Sequence, residues 1–126
     1  MSGDLRIGLF GRGRLASAIA EAARAAGSPL AWQAGRGEAP GGPVEVAIDA
    51  SVADAVEAHL DWALATGTGL VLGVTGWTLP DLETRVGGRI GVLTASNFSL
   101  AVALMARLAT VLGRFAALDP ARDPYL

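Results

Sequence analysis

A glycine-rich turn near the N-terminus limits the possible folds of this chain more than any other feature. The turn reads Gly11-Arg12-Gly13-Arg14-Leu15-Ala16 and fits the pattern G-x-G-x-x-A. It follows a short apolar run, residues 5–10, which predicts a buried strand. The residues after it are apolar at helical spacing, and Gly27 supplies a stop. A strand, a tight turn and a helix in this order predict a βαβ unit and a parallel sheet.

The rest of the chain repeats this alternation of strand and helix. Short apolar runs predict four further strands, at residues 30–34, 44–48, 70–72 and 90–93. Ser51 is expected to cap one helix and Thr78 a shorter one, and a long apolar helix is expected from about residue 97 to 115. The predicted fold class is therefore α/β: a single Rossmann-type domain over residues 1–126, with a parallel sheet and helices on both faces.

Composition excludes several classes of function. The formal net charge is -2 and no basic run occurs, which argues against nucleic acid or an anionic membrane as a partner. There is no cysteine and a single histidine, His59, so no metal site is expected. All ten cationic residues are arginines, which excludes Schiff-base chemistry on a lysine. No signal peptide is recognised and no apolar run reaches the roughly 18 residues of a membrane span, so the expected location is the cytoplasm.

The context of the glycine turn predicts a site for the pyrophosphate of a nicotinamide dinucleotide. Gly11 permits the sharp turn, and Gly13 lets the backbone approach the ligand. The N-terminus of the following helix offers unpaired N–H groups and a partial positive charge, to which Arg12 and Arg14 could add. The alternative is a turn that uses glycine for packing alone.

The end of the second predicted strand bears on the choice of cofactor. An NAD-binding site ordinarily has an acid at this place, which accepts hydrogen bonds from the ribose hydroxyls. This chain instead reads Ala34-Gly35-Arg36, and Arg36 could pair with a 2′-phosphate. NADP(H) is therefore favoured, and NAD(H) is the second candidate. The alternative is that Arg36 is a solvated loop charge.

Two polar segments follow the fourth and fifth predicted strands, where ligands bind in such sheets. Hydroxyl, amide and free backbone groups there could hold the nicotinamide ribose and its carboxamide. For Asn97, helix capping is an equal alternative. The candidate residues of the two segments are Gly73, Thr75, Gly76, Ser96 and Asn97.

His59 and the three tryptophans are expected to serve packing rather than chemistry. His59 lies near the apolar arc of the helix between the third and fourth strands, so we expect a histidine at the edge of the core. Trp32, Trp62 and Trp77 most simply fill gaps in an alanine-rich interior, although Trp77 lies close to the expected site.

Three sequence blocks resemble those of dihydrodipicolinate reductase. Ile48-Asp49-Ala50-Ser51, Gly73-Val74-Thr75-Gly76-Trp77 and Ser96-Asn97-Phe98-Ser99-Leu100-Ala101-Val102 are similar to that family's I-D-F-[ST], G-T-T-G-[FW] and [AP]-N-F-S-[LIV]-G-V, in the same order and spacing. The resemblance covers nearly the whole chain, but only the cofactor half of the family. It implies contacts between the cofactor and residues 11–15, Arg36, Gly73, Thr75 and residues 95–98.

The resemblance implies an oxidoreductase that transfers hydride from NAD(P)H to a cyclic precursor of diaminopimelate and lysine. The chain departs from the family in its shorter glycine loop, in the missing acid and in the short segment between the second and third strands. The family's histidine and lysine for catalysis lie in an H-H-R-x-K-x-D-x-P-S-G-T segment, and this chain stops before it, at Leu126. We therefore expect no catalytic residue and no substrate domain here, and no reductase activity from this chain alone. The alternatives are a non-catalytic module that binds or senses NADP(H), and another Rossmann oxidoreductase family.

The last predicted helix, residues 97–115, is apolar on nearly all sides. Only Arg107, Thr110 and Arg114 form a polar stripe along it. One face of a sheet cannot cover so wide an apolar surface, so we expect another protomer to do so. The expected assembly is a homodimer in which this helix pairs with its copy.

Overall fold

Five parallel strands build the sheet of the computed structural model, which describes residues 5–94. The strands are β1 (Ile7–Phe10), β2 (Trp32–Ala34), β3 (Val46–Asp49), β4 (Gly69–Leu72) and β5 (Val92–Thr94). The helices are α1 (Arg14–Ala25), α2 (Val56–Thr66) and α3 (Leu82–Val86), and a single 3-10 turn (Ala53–Ala55) precedes α2. The alternation of strands and helices confirms the predicted α/β class. The long helix expected at residues 97–115 lies outside the described residues.

The strand order β2-β1-β3-β4-β5 determines where a ligand can bind. All four strand pairs are parallel, and Phe10 aligns with Ala34 on one side and with Asp49 on the other. The carboxyl ends of the strands therefore meet at one edge of the sheet. Because the chain moves outward from β1 to β2 and then returns past β1 to β3, the direction of winding changes between β1 and β3. Sheets of this kind bind ligands outside the carboxyl ends at such a point.

The two faces of the sheet carry separate cores because successive strand residues point to opposite faces. Leu9 and Ile48 belong to the cluster that also contains Ile19 of α1. Phe10 belongs to the other, together with Leu60 of α2. All five side chains are at most 2% exposed. The residues at the carboxyl ends of β1 and β3 are thus fixed from both faces.

The tryptophans pack against the core as expected, and two of them form an aromatic group with Phe10. Trp32 and Trp62 lie edge-to-face with Phe10, with ring centroids 5.1 and 5.4 Å from the Phe10 centroid. The two indole rings also meet edge-to-face. Trp77 packs against the same core, and its indole N–H donates to the carbonyl of Val74 at 2.7 Å.

Neither predicted helix cap is formed. Ser51 precedes the 3-10 turn by two positions, and its hydroxyl donates to the Asp49 carboxylate instead. A buried carboxylate needs hydrogen-bond donors, and this requirement outweighs capping. Asp81, not Thr78, occupies the N-cap position of α3, where it makes no side-chain hydrogen bond. Arg85 binds α3 to α2 through ion pairs with Glu57 and Asp61.

Four of the five strands begin two residues later than the apolar runs predict, whereas β4 begins one residue earlier. Leu5 and Leu30 belong to those runs but pack against the α1 cluster beside the strands. An apolar run indicates which residues are buried, whereas a residue belongs to a strand only if its backbone also pairs with a neighbouring strand.

Among the described residues, no helix is long and apolar enough to cross a membrane.

Candidate functional site

Two adjoining clefts open at the carboxyl edge of the sheet, on either side of the point between β1 and β3. The β2 cleft, about 430 Å³, lies among the loops that follow β1, β2 and β3. The β4 cleft, about 400 Å³, lies among the loops that follow β1, β3 and β4. Gly13 and residues 50–52 line both clefts, so together they form one groove across the start of α1.

The groove brings together the predicted site residues that the structure describes, except Gly76, which lines neither cleft. Those that line the β2 cleft are Gly11, Arg12, Gly13 and Arg36. Those that line the β4 cleft are Gly13, Arg14, Leu15, Gly73 and Thr75. The remaining four, Ala95, Ser96, Asn97 and Phe98, lie outside the described residues.

Gly11 makes a turn that no other residue can make without strain. Its φ is +121°, a conformation that side chains disfavour. A Cβ atom at this position would lie 2.5 Å from the carbonyl oxygen of Ala50. Its backbone N–H donates to the carbonyl of Ala34 at 2.8 Å. The turn therefore depends on the absence of a side chain, and it joins the loops after β1, β2 and β3.

Gly13 has a different role, because it occupies the N-cap position of α1. Its φ is −80°, and a Cβ atom there would meet nothing within 4 Å. The cap forms no side-chain hydrogen bond, and the first turn of the helix contains no acidic residue. The N–H groups of this turn and their partial positive charge therefore remain available to an anion.

Glu38 reaches the groove from the loop after β2 and pairs with Arg12. The Arg12 Nε donates to Oε1 at 2.5 Å and Nη2 donates to Oε2 at 3.0 Å. The backbone N–H of Gly35 also donates to Oε1, at 2.9 Å. The hydrogen bonds from Arg12, followed by that from Gly35, lower the pKa of the Glu38 carboxyl to about 2. The same pair raises the pKa of Arg12.

Because of this ion pair, the β2 cleft differs from the sequence-based expectation in two respects. Arg12 was expected to offer its charge to the ligand, but it is bound to Glu38 and, through Nη2, to the carbonyl of Gln33. An acid was expected to be missing, and none stands at the strand end, yet Glu38 brings a carboxylate to the same cleft. The position of Glu38 could have been predicted only from the tight turn between Gly35 and Glu38, in which Gly37 has a φ of +76°.

A buried carboxylate that the sequence reasoning missed lies beneath the groove. Asp49, the last residue of β3, is fully buried and accepts the N–H of Ser51 at 3.0 Å and its hydroxyl at 2.5 Å. Its other oxygen lies 2.6 Å from Nδ1 of His59. The His59 ring stacks on Phe10 with centroids 3.8 Å apart.

His59 is thus a core-edge residue, as expected, but it also reaches the ligand groove. Its side chain is 20% exposed and lines the β2 cleft. The hydrogen bond to Asp49 and the stack on Phe10 fix the orientation of the ring. Within residues 5–94, no three potential ligands of the His, Cys, Asp or Glu type come together to hold a metal ion.

Comparison with known proteins relates this chain to one family. A family model described as the N-terminus of dihydrodipicolinate reductase matches residues 37–98. The 4-hydroxy-tetrahydrodipicolinate reductase of Acidiphilium cryptum is 40% identical over 117 residues, which cover 87% of this chain and 47% of the relative. The enzyme of that name from Beutenbergia cavernae is 36% identical over 115 residues, covering 83% of this chain and 47% of the relative. That from Gluconacetobacter diazotrophicus is 34% identical over 119 residues, covering 83% and 46%.

The chain spans about half the length of the curated relatives it matches. In this family the N-terminal domain is a Rossmann domain that binds NAD(P). The parallel sheet with its glycine turn agrees with that architecture. The chain therefore belongs to the dihydrodipicolinate reductase family, of which it carries the N-terminal domain.

Proposed function

We propose that this domain binds a nicotinamide dinucleotide with its pyrophosphate over Gly13, at the start of α1. One observation carries the proposal: the uncapped N-terminus of α1 opens into a groove at the point where the sheet changes its direction of winding. Unpaired N–H groups and the helix dipole stabilise a phosphate there. The absence of a side chain at Gly13 lets the ligand approach the backbone.

The two clefts on either side of Gly13 suit the two halves of the ligand. The β2 cleft, at the outer side of β1, contains Arg36 and would take the adenosine half. The β4 cleft, which contains Gly73 and Thr75, would take the nicotinamide half. Residues 95–98 follow β5, beside β4, and by sequence would complete the nicotinamide side.

We expect NADPH to bind more tightly than NADH, because Arg36 in the β2 cleft can pair with the 2′-phosphate. The substitution Arg36→Ala should weaken NADPH binding roughly tenfold or more, since a charged hydrogen bond contributes about 1.5 to 3 kcal/mol. NADH binding should change little. Calorimetric titration of both cofactors measures the two affinities.

The matched control for this experiment is Arg24→Ala, at an exposed position at the other end of α1. It removes the same charge from the domain without altering the cleft, so both affinities should stay at their wild-type values. If the two substitutions weaken NADPH binding equally, the effect depends only on the net charge of the domain. Tighter binding of NADH than NADPH by the wild type would contradict the proposed preference.

We further propose that the domain supplies the cofactor for hydride transfer in a reductase of diaminopimelate and lysine biosynthesis, in the cytoplasm. The support is the relatives' name, 4-hydroxy-tetrahydrodipicolinate reductase, which describes a reduction. In this role the domain's residues hold and orient the dinucleotide, and the proton donor and substrate groups come from outside residues 5–94.

We also propose a homodimer formed through residues 97–115, on the strength of the apolar sequence pattern there. Replacing Met105 and Leu112 together by glutamate should convert a dimer into a monomer, since two charges in an apolar interface are costly to bury. Sedimentation measures the change. The control is Thr110→Glu, within the polar stripe, which should leave the dimer intact. A monodisperse wild-type monomer would overturn the proposal.

A further inference from the structure

The loop after β2 returns to the groove and places a carboxylate beside Arg36. The turn closes through a hydrogen bond from the Glu38 N–H to the Gly35 carbonyl at 3.0 Å. The side chains of Arg12 and Glu38 are about half exposed, at 54% and 46%. All of these residues line the β2 cleft, together with Arg36. An anion and two cations therefore face the part of the groove that would hold the adenosine half of the ligand.

Arg12 has little capacity left to bind a phosphate in this arrangement. A guanidinium has five N–H groups. The Nε–H group and one Nη2–H group bind the two oxygens of Glu38, and the other Nη2–H group binds the Gln33 carbonyl at 3.0 Å. The planar edge that would grip a phosphate with two bonds is thus occupied by the carboxylate.

Glu38 keeps the capacity to accept a further hydrogen bond. An ionised carboxylate offers about four acceptor positions on its two oxygens. Oε1 accepts from Arg12 and Gly35, whereas Oε2 accepts only the bond from Arg12 Nη2 among the described contacts. A ribose hydroxyl can donate to Oε2. A 2′-phosphate cannot donate in its dianionic form, and it would be repelled by the carboxylate.

The lack of a side chain at Gly35 also supports a role for the Glu38 carboxylate in this cleft. It stands at the strand end, where an NAD-binding site ordinarily has its acid. A Cβ atom at Gly35 would lie 2.8 Å from Oε1 of Glu38 and 2.9 Å from Cδ of Arg12. The room that the ion pair occupies is therefore room that a side chain at the usual position would fill.

We infer that Glu38 determines the cofactor selectivity of this site, by engaging Arg12 and by offering a carboxylate to the free 2′-hydroxyl of an adenine ribose. This inference rests on the proposed function. Arg36 favours NADP(H), and Glu38 opposes that preference and stabilises bound NAD(H). The selectivity of the domain is the balance between the two residues.

The test is calorimetric titration of NADPH and NADH into the wild type and Glu38→Gln. The variant should bind NADPH about tenfold more tightly, because Arg12 is released and the repulsion is removed. It should bind NADH about threefold more weakly, because a neutral amide is a poorer acceptor than a carboxylate. The ratio of the two affinities should therefore move by more than tenfold. Adenosine 2′,5′-bisphosphate and 5′-AMP, as ligands for the adenosine half alone, should show the same shift in their affinity ratio.

The matched control is Glu45→Gln. Glu45 also pairs with an exposed arginine, Arg6, and accepts a backbone N–H at 3.1 Å, but it does not line either cleft of the groove. Its substitution should leave both affinities unchanged. Thermal unfolding verifies that both variants fold, and Glu38→Ala serves as a second variant if Glu38→Gln does not.

The outcomes separate this inference from the proposed function. If the wild type binds both cofactors and Glu38→Gln leaves their affinity ratio unchanged, the inference is wrong and the proposed function stands. If the wild type binds neither cofactor, the proposed function fails, and the role of Glu38 fails with it. A gain in NADPH affinity that Glu45→Gln reproduces would reduce the effect to net charge and overturn the inference.

Discussion

Replacing Gly11 by alanine is expected to lower the free energy of unfolding by about 3 kcal/mol or more, which is a large share of the stability of a domain of this size. Two costs add at this position. The φ of +121° strains any residue with a side chain. The new Cβ atom would also lie 2.5 Å from the Ala50 carbonyl oxygen, a backbone atom that cannot move without disturbing the end of β3. Urea unfolding measures the loss.

Two other glycines provide the controls for Gly11→Ala. Gly27 also has a positive φ, +80°, but a Cβ atom there would meet nothing within 4 Å, so Gly27→Ala should cost only about 1 kcal/mol. Gly13→Ala should leave stability nearly unchanged, because its φ is negative and its surroundings are open. It should nevertheless weaken dinucleotide binding more than tenfold, since the methyl group would occupy the approach to the backbone. A Gly11→Ala variant as stable as Gly27→Ala would contradict the role assigned to the turn.

Replacing Asp49 by alanine is expected to cost about 3 kcal/mol of stability. The carboxylate is fully buried and receives three hydrogen bonds, two from Ser51 and one from the His59 ring. Its removal leaves these donors without their acceptor and leaves a cavity at the end of β3. A buried polar group that loses its partner carries the cost of desolvation without compensation. Urea unfolding of the variant measures the effect.

The control is Asp81→Ala, because Asp81 is exposed at the start of α3 and makes no side-chain hydrogen bond. Its substitution should change stability by less than about 0.5 kcal/mol. A double-mutant cycle with His59→Ala should give a coupling energy of about 1 kcal/mol or more between Asp49 and His59. If Asp49→Ala costs no more than Asp81→Ala, the buried network does not stabilise the domain.

The glycine turn could be predicted from the sequence because its requirements are local. A residue with positive φ between an apolar strand and a helix leaves few alternatives to glycine, and Gly11 stands at that position in the pattern. The alternation of strands and helices could also be predicted, since parallel strands buried on both faces appear in the sequence as short apolar runs. The strand bounds were less accurate because Leu5 and Leu30 are partly buried beside the strands.

The side chains around the groove could be predicted only in part. Arg36 and Thr75 were identified because each lies within three residues of the end of a strand, which fixes the place of the next few residues. Glu38 was missed because it lies four residues after the end of β2 and reaches the cleft through a turn. Its partner Arg12 is 26 positions away in the sequence, and no local pattern relates the two.

The sequence by itself determined the fold class, the glycine turn and the edge of the sheet at which the groove opens, because these follow from local backbone conformation and from the periodicity of apolar residues. Only the tertiary structure decided how the charged and polar side chains at this edge are paired. It paired Arg12 with Glu38 where both line the groove, and it made Ser51 a partner of Asp49 instead of a helix cap. The physical reason is that a charged or buried polar side chain takes the strongest partner within reach, and distance in space, which the order of residues does not contain, determines what is within reach.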